Sequence, residues 1–214
     1  MYPQTQDDSI EMLQEIRGIM NRSSRFLSLS GWSGVWAGCT AIAGAVIAYL
    51  RLCRLPDNVL SLDMPENING YTIQFFMLAA AIFIVALAGA FFFTYKKTKQ
   101  LEQKLWSNAS RQLLIQGSIP MLTGGIFVIA FILHGDGIFV APTCLVFYGL
   151  ALISASKYTM TDIRYLGLFE IILGCINLFL GGYGLIFWTL GFGVLHIIYG
   201  LVMWNKYDKR TSDA

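Results

Sequence analysis

Apolar residues gather along the chain into six blocks, 26–50, 72–95, 113–133, 138–156, 165–182 and 184–204, with polar segments between them. Each approaches the roughly 20 residues that an α-helix needs to cross a ~30 Å hydrocarbon core. The pattern predicts an all-α, polytopic transmembrane helix bundle of six spans. The fourth and fifth blocks are short and sit close to their neighbours. Tight turns join spans three and four at His134-Gly135-Asp136-Gly137 and spans five and six at Gly181-Gly182-Tyr183-Gly184. The spans are therefore expected to pair as three antiparallel helical hairpins.

Outside the blocks a second period emerges. Ile10, Leu13, Ile16 and Met20 stand at helical spacing, while Glu11, Glu15, Arg17 and Arg22 fall largely elsewhere, which predicts an N-terminal amphipathic helix. Asp8 with Glu11 resembles a capping box that would start it. The chain then divides into a cytoplasmic arm at 1–25, a six-helix transmembrane domain at 26–204 and a cytoplasmic tail at 205–214. The outer loop 51–71 carries Pro56, Pro65 and an Asn69-Gly70 turn signal, and is too short for a domain. In the connection 96–112, Leu101, Leu105 and Trp106 among Lys and Gln predict that span two continues as a helix beyond the membrane.

Composition agrees with lipid as the solvent: 56% of the 214 residues are hydrophobic and 13% charged, against about 25% charged in soluble domains. Placement of the 15 basic residues sets orientation, because Lys and Arg near span ends stay on the cytoplasmic side. Arg17, Arg22 and Arg25 precede span one, Lys96, Lys97, Lys99, Lys104 and Arg111 lie between spans two and three, Lys157 and Arg164 between four and five, and Lys206, Lys209 and Arg210 after span six. Only Arg51 and Arg54 fall on the other side, so both termini are expected in the cytoplasm, and a miscount by one span would destroy the split. The net charge of +2 is thus a topogenic signal and no argument for nucleic acid. The first 25 residues are polar and the first apolar block is too long for a leader's apolar core, so that block is expected to be an uncleaved anchor. Cys39, Cys53, Cys144 and Cys175 form no C-x-x-C pair and have no neighbouring His, which favours apolar filler and a free thiol over a metal or redox site.

The even spans end alike. Gly89 precedes Tyr95-Lys96, Tyr148-Gly149-Leu150 precedes Lys157-Tyr158, and Tyr199-Gly200-Leu201 precedes Lys206-Tyr207. Three copies of one hairpin would explain this, and so would the ordinary habits of inner-membrane helices.

Two ionisable side chains other than Tyr and Cys fall inside the spans, Glu170 and His196. A charge in hydrocarbon costs about 2.5–3.5 kcal/mol on insertion scales, so each is expected to face the bundle interior and find a partner. Gly167, Glu170, Gly174, Asn177 and Gly181 share one face of span five; Thr189, Gly193, His196 and Gly200 share one face of span six. Facing positions of an antiparallel hairpin have a constant sum. Glu170 with His196 and Asn177 with Thr189 each sum to 366, and Gly174 with Gly193 and Gly167 with Gly200 to 367. One glycine-lined seam between spans five and six is therefore expected, with Glu170 facing His196. It reads as a packing contact whose polar pair fixes register, or as a proton or cation relay. In span one, Ser33, Ala37, Ala41 and Ala45 form one small row and Ser30, Gly34 and Gly38 another, so that span is expected to lie between neighbours. Pro120 and Pro142 are expected to kink spans three and four, with room for a cavity beside Gly117, Gly124 and Gly125.

Sharper chemistries lack their residues. His134 and His196 lie at opposite depths, which disfavours bis-histidine haem. Two candidate ligands are too few for an intramembrane zinc site, and no P-loop, dinucleotide fingerprint or nucleophile elbow occurs. No cofactor is expected. The stretches NRSSRFLSLSG (21–31), SKYTMTDIRYLGLFEIILG (156–174) and GFGVLHIIYG (191–200) resemble segments of uncharacterised bacterial multi-pass membrane proteins. That resemblance covers most of the chain and implies a bacterial inner-membrane protein, without implying an activity. The expected role is non-catalytic, through a protein partner or a homo-oligomer in the bilayer. The alternative is a small carrier or channel for a proton, cation or small solute, using Glu170, His196, Asn177 and Thr189.

Overall fold

The computed structural model describes residues 30–53, 68–101 and 106–209, with 68–73 as backbone only. The N-terminal amphipathic helix and most of the outer loop lie outside the described residues. Within them the chain is helical throughout, without strands: α1 (Gly31–Leu52), α2 (Ile68–Gln100), α3 (Asn108–His134), α4 (Val140–Ala155, between 3-10 turns Gly137–Phe139 and Ser156–Tyr158), α5 (Ile163–Phe179) and α6 (Gly184–Asp208). Five stretches are long and apolar enough to cross a membrane: Gly31–Leu52, Gln74–Gln100, Asn108–His134, Gly137–Tyr158 and Gly184–Asp208. α5 has 17 residues.

Local chemistry sets the ends. α3 begins before its apolar block because Ser107 and Ser110 form a capping box. The Ser107 hydroxyl accepts the Ser110 N–H at 3.1 Å, and the Ser110 hydroxyl accepts the Ser107 N–H at 2.8 Å. It ends at Gly135, whose φ of 81° only glycine adopts readily, while the Asp136 N–H turns back to the Phe131 carbonyl at 2.8 Å. Pro142 sits in the first turn of α4, where a missing N–H costs nothing, so the kink expected from it does not arise. Asn69-Gly70, expected as a loop turn, falls in the first turn of α2. As expected, α2 runs on through Lys96, Lys97 and Lys99.

α1 lies between α2 and α6, α4 packs on α3 and α5, and the first half of α6 meets α4. α2 and α3 flank this row, and nothing in the apolar stretch of α2 is buried. Phe76, Met77, Ile84, Phe91 and Phe92 point outward, as side chains facing lipid do.

The helices cross where glycines meet. A Cβ on Gly149 of α4 would stand 2.5 Å from the Gly167 carbonyl oxygen of α5, and a Cβ on Gly167 2.6 Å from that of Gly149. Between α6 and α1, a Cβ on Gly200 would stand 2.6 Å from the Val35 nitrogen and 2.7 Å from the Gly31 oxygen. A Cβ on Gly34 would lie 3.1 Å from the Gly200 Cα, and one on Gly38 2.6 Å from the Gly193 oxygen.

These contacts correct the expected glycine seam. Gly167 faces Gly149 rather than Gly200. Gly174 lies over Leu145 and Val146 of α4 rather than Gly193, and Gly193 faces Ile42 of α1. Although a tight turn joins α5 to α6, each packs mainly on another helix. The reason is that small residues permit close approach without choosing a partner. Any two glycine faces are complementary, so a constant sum within one hairpin tests compatibility and not pairing. The Gly of each Tyr-Gly-Leu motif does play one role twice, at the α4/α5 and the α6/α1 crossings. Gly89 of α2 differs, lying under the Trp36 indole of α1.

At one end of the bundle Asp208 draws three helices together. Its carboxylate accepts from the Gly31 N–H at 3.1 Å, the Ser30 hydroxyl at 3.4 Å and Lys97 Nζ at 2.5 Å.

Candidate functional site

Glu170 lies on the face of α5 that also carries Leu166, Gly167, Gly174 and Asn177, all buried. Because Gly149 and Gly167 bring α4 and α5 into backbone contact just beside it, its carboxyl group is driven toward α6 and fully buried. There α6 makes room. A Cβ on Gly191 would stand 2.5 Å from Glu170 Oε2 and 2.5 Å from Leu145 Cδ2, so a larger residue would collide with the carboxylate.

Gly191 belongs to a π-helical stretch, Thr189–Leu195, a conformation found mostly as short insertions at functional positions. One turn later His196 places its Nδ1 3.0 Å from the Gly191 carbonyl oxygen and 3.4 Å from Glu170 Oε1. Its Nε2 lies 2.8 Å from the Tyr148 hydroxyl of α4. A neutral ring that donates Nδ1–H to the Gly191 carbonyl leaves Nε2 as the acceptor of the Tyr148 O–H. Phe192 walls the group, with ring centroids 5.1 Å from Tyr148 and 4.6 Å from Trp188. Both Glu170 oxygens are without accessible surface and without a hydrogen bond, since the 3.4 Å approach of Nδ1 lacks the alignment of one. Carboxyl, imidazole and phenol thus form a line across three helices that can hold one proton in more than one place.

The four polar residues singled out from the sequence separate into two outcomes. Glu170 and His196 come together. Asn177 and Thr189 do not pair: the Asn177 Nδ2 is buried without a partner, and the Thr189 hydroxyl donates to the Leu185 carbonyl of its own helix at 2.7 Å. Tyr148 was visible only as part of a repeat motif, since a phenol's partner is legible in space and not in spacing. A second buried hydroxyl, Tyr199, has no hydrogen bond.

Below this group, at the end of the bundle shared with Asp208, Asp162 accepts from Lys206 Nζ at 2.6 Å and from the Tyr207 hydroxyl at 2.9 Å. Partial burial pushes the Asp162 carboxyl up, but the hydrogen bonds from Lys206 and Tyr207 and the lysine charge outweigh it and hold the group below the usual carboxylate range. The sequence presents Lys97 and Lys206 as topogenic charges, which hides their roles as partners. Among the described residues no three His, Cys, Asp or Glu converge as metal ligands would. The four cysteines are free thiols.

Compared with protein-family models, curated proteins and solved structures, the chain finds no match.

Proposed function

We propose that the chain is a six-span protein of the bacterial cytoplasmic membrane, with both termini inside, that acts through a partner or through assembly with further copies and carries out no chemistry of its own. The sealing of Glu170 carries this reading. Its oxygens have no accessible surface and its imidazole neighbour is engaged at both ring nitrogens, whereas a substrate site needs an open approach. The carboxyl–imidazole–phenol line then serves to fix how α4, α5 and α6 meet.

A sixth crossing through α5 is supported by its ends. Asp162, before its first residue, bonds to Lys206 and Tyr207 at the close of α6, and its last residue leads by a short turn to the start of α6. At ~1.5 Å per residue its 17 residues rise about 25 Å. Orientation rests on the basic residues. Lys97 and Lys206 meet Asp208 and Asp162 at the end where α1 begins and α2 and α6 finish.

The test is a pull-down with the full chain and with residues 1–20 deleted, alongside flux measurements in proteoliposomes. The reading expects a partner, or further copies, to be lost on deletion, and no flux that depends on Glu170. The second reading, a carrier or channel for a proton, cation or small solute, is favoured by the unbroken spacing from Glu170 through His196 to Tyr148. A pH-dependent flux abolished by Glu170→Gln would put it first.

A further inference from the structure

At the end of the bundle shared with Asp208, α2 parts its polar residues between two faces. One carries Thr94, Lys97 and Thr98. Lys97 reaches Asp208, and Thr98 is buried with its hydroxyl on the Thr94 carbonyl at 2.7 Å. The opposite face carries Phe92, Tyr95, Lys96, Lys99 and Gln100, at spacings of three and four. All five are exposed, and together they line a groove of about 400 Å³. Tyr95 stacks on Phe91 at its flank, with ring centroids 6.4 Å apart. Neither Lys96 nor Lys99 has an acidic partner among the described residues, so they are the charge left over on α2 once Lys97 is matched. In the other direction the same face runs into the apolar stretch of the helix through Ala88 and Val85, both exposed. At ~1.5 Å per residue, Lys96 and Lys99 stand about 6 and 10.5 Å beyond Phe92 along the axis. The groove is thus cationic at one level and apolar one to two turns deeper, on the side of α2 turned away from the bundle.

We propose that this groove binds one anionic phospholipid of the surrounding leaflet. Lys96 and Lys99 meet the phosphate as point charges, the Tyr95 hydroxyl and the Gln100 amide donate to headgroup oxygens, and an acyl chain lies over Phe92, Ala88 and Val85. Long lysine stems lie along apolar surface while their ammonium groups stay at headgroup level, and basic residues beside a membrane end are drawn to anionic lipid. The occupant follows from charge and polarity together. A soluble anion would match the lysines and leave the apolar floor uncovered. A zwitterionic lipid would cover the floor and leave the two positive charges uncompensated. A leaflet anion with its own tail matches both at the depths where they occur. The site asks only that α2 cross the bilayer, so its failure would leave both readings of the protein's role standing.

Native mass spectrometry of the full chain, released from vesicles of equal parts phosphatidylglycerol and phosphatidylcholine, tests this. Retention of one phosphatidylglycerol in preference to phosphatidylcholine is expected. The double variant Lys96→Gln, Lys99→Gln should lower that preference roughly thirtyfold, about fivefold per lysine. Lys96→Arg with Lys99→Arg should keep it, which separates loss of charge from loss of fold. Lys157→Gln, at an exposed lysine just after α4, should leave it intact. Phe92→Ala should weaken retention several-fold, and excess glycerol phosphate should not displace the lipid. No preference in the native chain, an unchanged preference in the double glutamine variant, its loss in the arginine variant, or an equal loss in Lys157→Gln would each overturn the proposal. So would indifference to Phe92→Ala or displacement by glycerol phosphate, which would mark a site for a soluble anion.

Discussion

Asp208, in the last turn of α6, accepts the backbone N–H of Gly31, the first residue of α1, at 3.1 Å across nearly the whole length of the chain. Ser30, in the N-cap position, makes no side-chain cap of its own. Its hydroxyl donates to the same carboxylate at 3.4 Å. A helix start is the positive end of a macrodipole with unsatisfied N–H groups, and here the anion that meets it comes from another helix. Lys97 of α2, bound to the other oxygen at 2.5 Å, ties in a third.

Asp208→Ala is therefore expected to act as a helix-cap loss and an ion-pair loss together, about 1–3 kcal/mol. Thermal unfolding in detergent, followed by helical circular dichroism, gives the value. Lys97→Met should cost less, because the Gly31 bond survives it, and the double variant should cost less than the two single effects added.

The glycine crossings predict a contrast within one residue type. Gly149→Ala and Gly167→Ala each push a methyl group against a carbonyl oxygen of the facing backbone, and overpacking of this kind costs about 1–3 kcal/mol. Gly125→Ala meets nothing within 4 Å and should be neutral or slightly stabilising, since alanine favours the helix by up to about 1 kcal/mol. Unfolding midpoints of the three variants in one detergent would show the ordering, and equal midpoints would contradict the crossings.

At the polar core, Tyr148→Phe removes the donor to His196 Nε2 and should cost about 1 kcal/mol. His196→Ala leaves a cavity as well as an unpaired Tyr148 hydroxyl, and should cost about 2–4 kcal/mol. In a double-mutant cycle with Glu170→Gln and His196→Ala, a coupling of about 0.6–2 kcal/mol is expected. A coupling near zero would mean that the 3.4 Å approach holds nothing.

The Asp162–Lys206 pair gives a pH dependence with a definite sign. Asp162 is held below its ordinary value in the folded state, so it contributes stability above the usual carboxylate range, and that contribution is lost as pH falls through the depressed value. The hydrogen bond to Asp162 raises Lys206 above its ordinary value, so its contribution is present below the usual lysine range and lost as pH rises through the raised one. Between those limits the pair is intact. Asp162→Asn should flatten the acid side of a stability–pH profile measured by chemical denaturation and leave the neutral region level.

Much of the fold was legible in the residues. Apolar blocks of about helix-spanning length gave the helices, because each backbone polar group in lipid must be satisfied within its own segment. Gly135, in the turn expected between spans three and four, marks an end that local chemistry fixes. The shared residue sum of spans five and six also brought Glu170 and His196 to the same level, where they approach to 3.4 Å, since rise per residue is constant along a helix.

Which helix meets which was a different matter. Gly167 could face Gly200 or Gly149 with equal comfort, and only the assembled bundle decided for Gly149, because close approach selects against large side chains without identifying a partner. The same holds for Tyr148 and Asp208, whose roles depend on groups 48 and 177 residues away in the chain. Sequence spacing determines what shares a helix face. The third neighbour of that face, and hence the phenol on His196 and the anion at the head of α1, is settled by packing among helices.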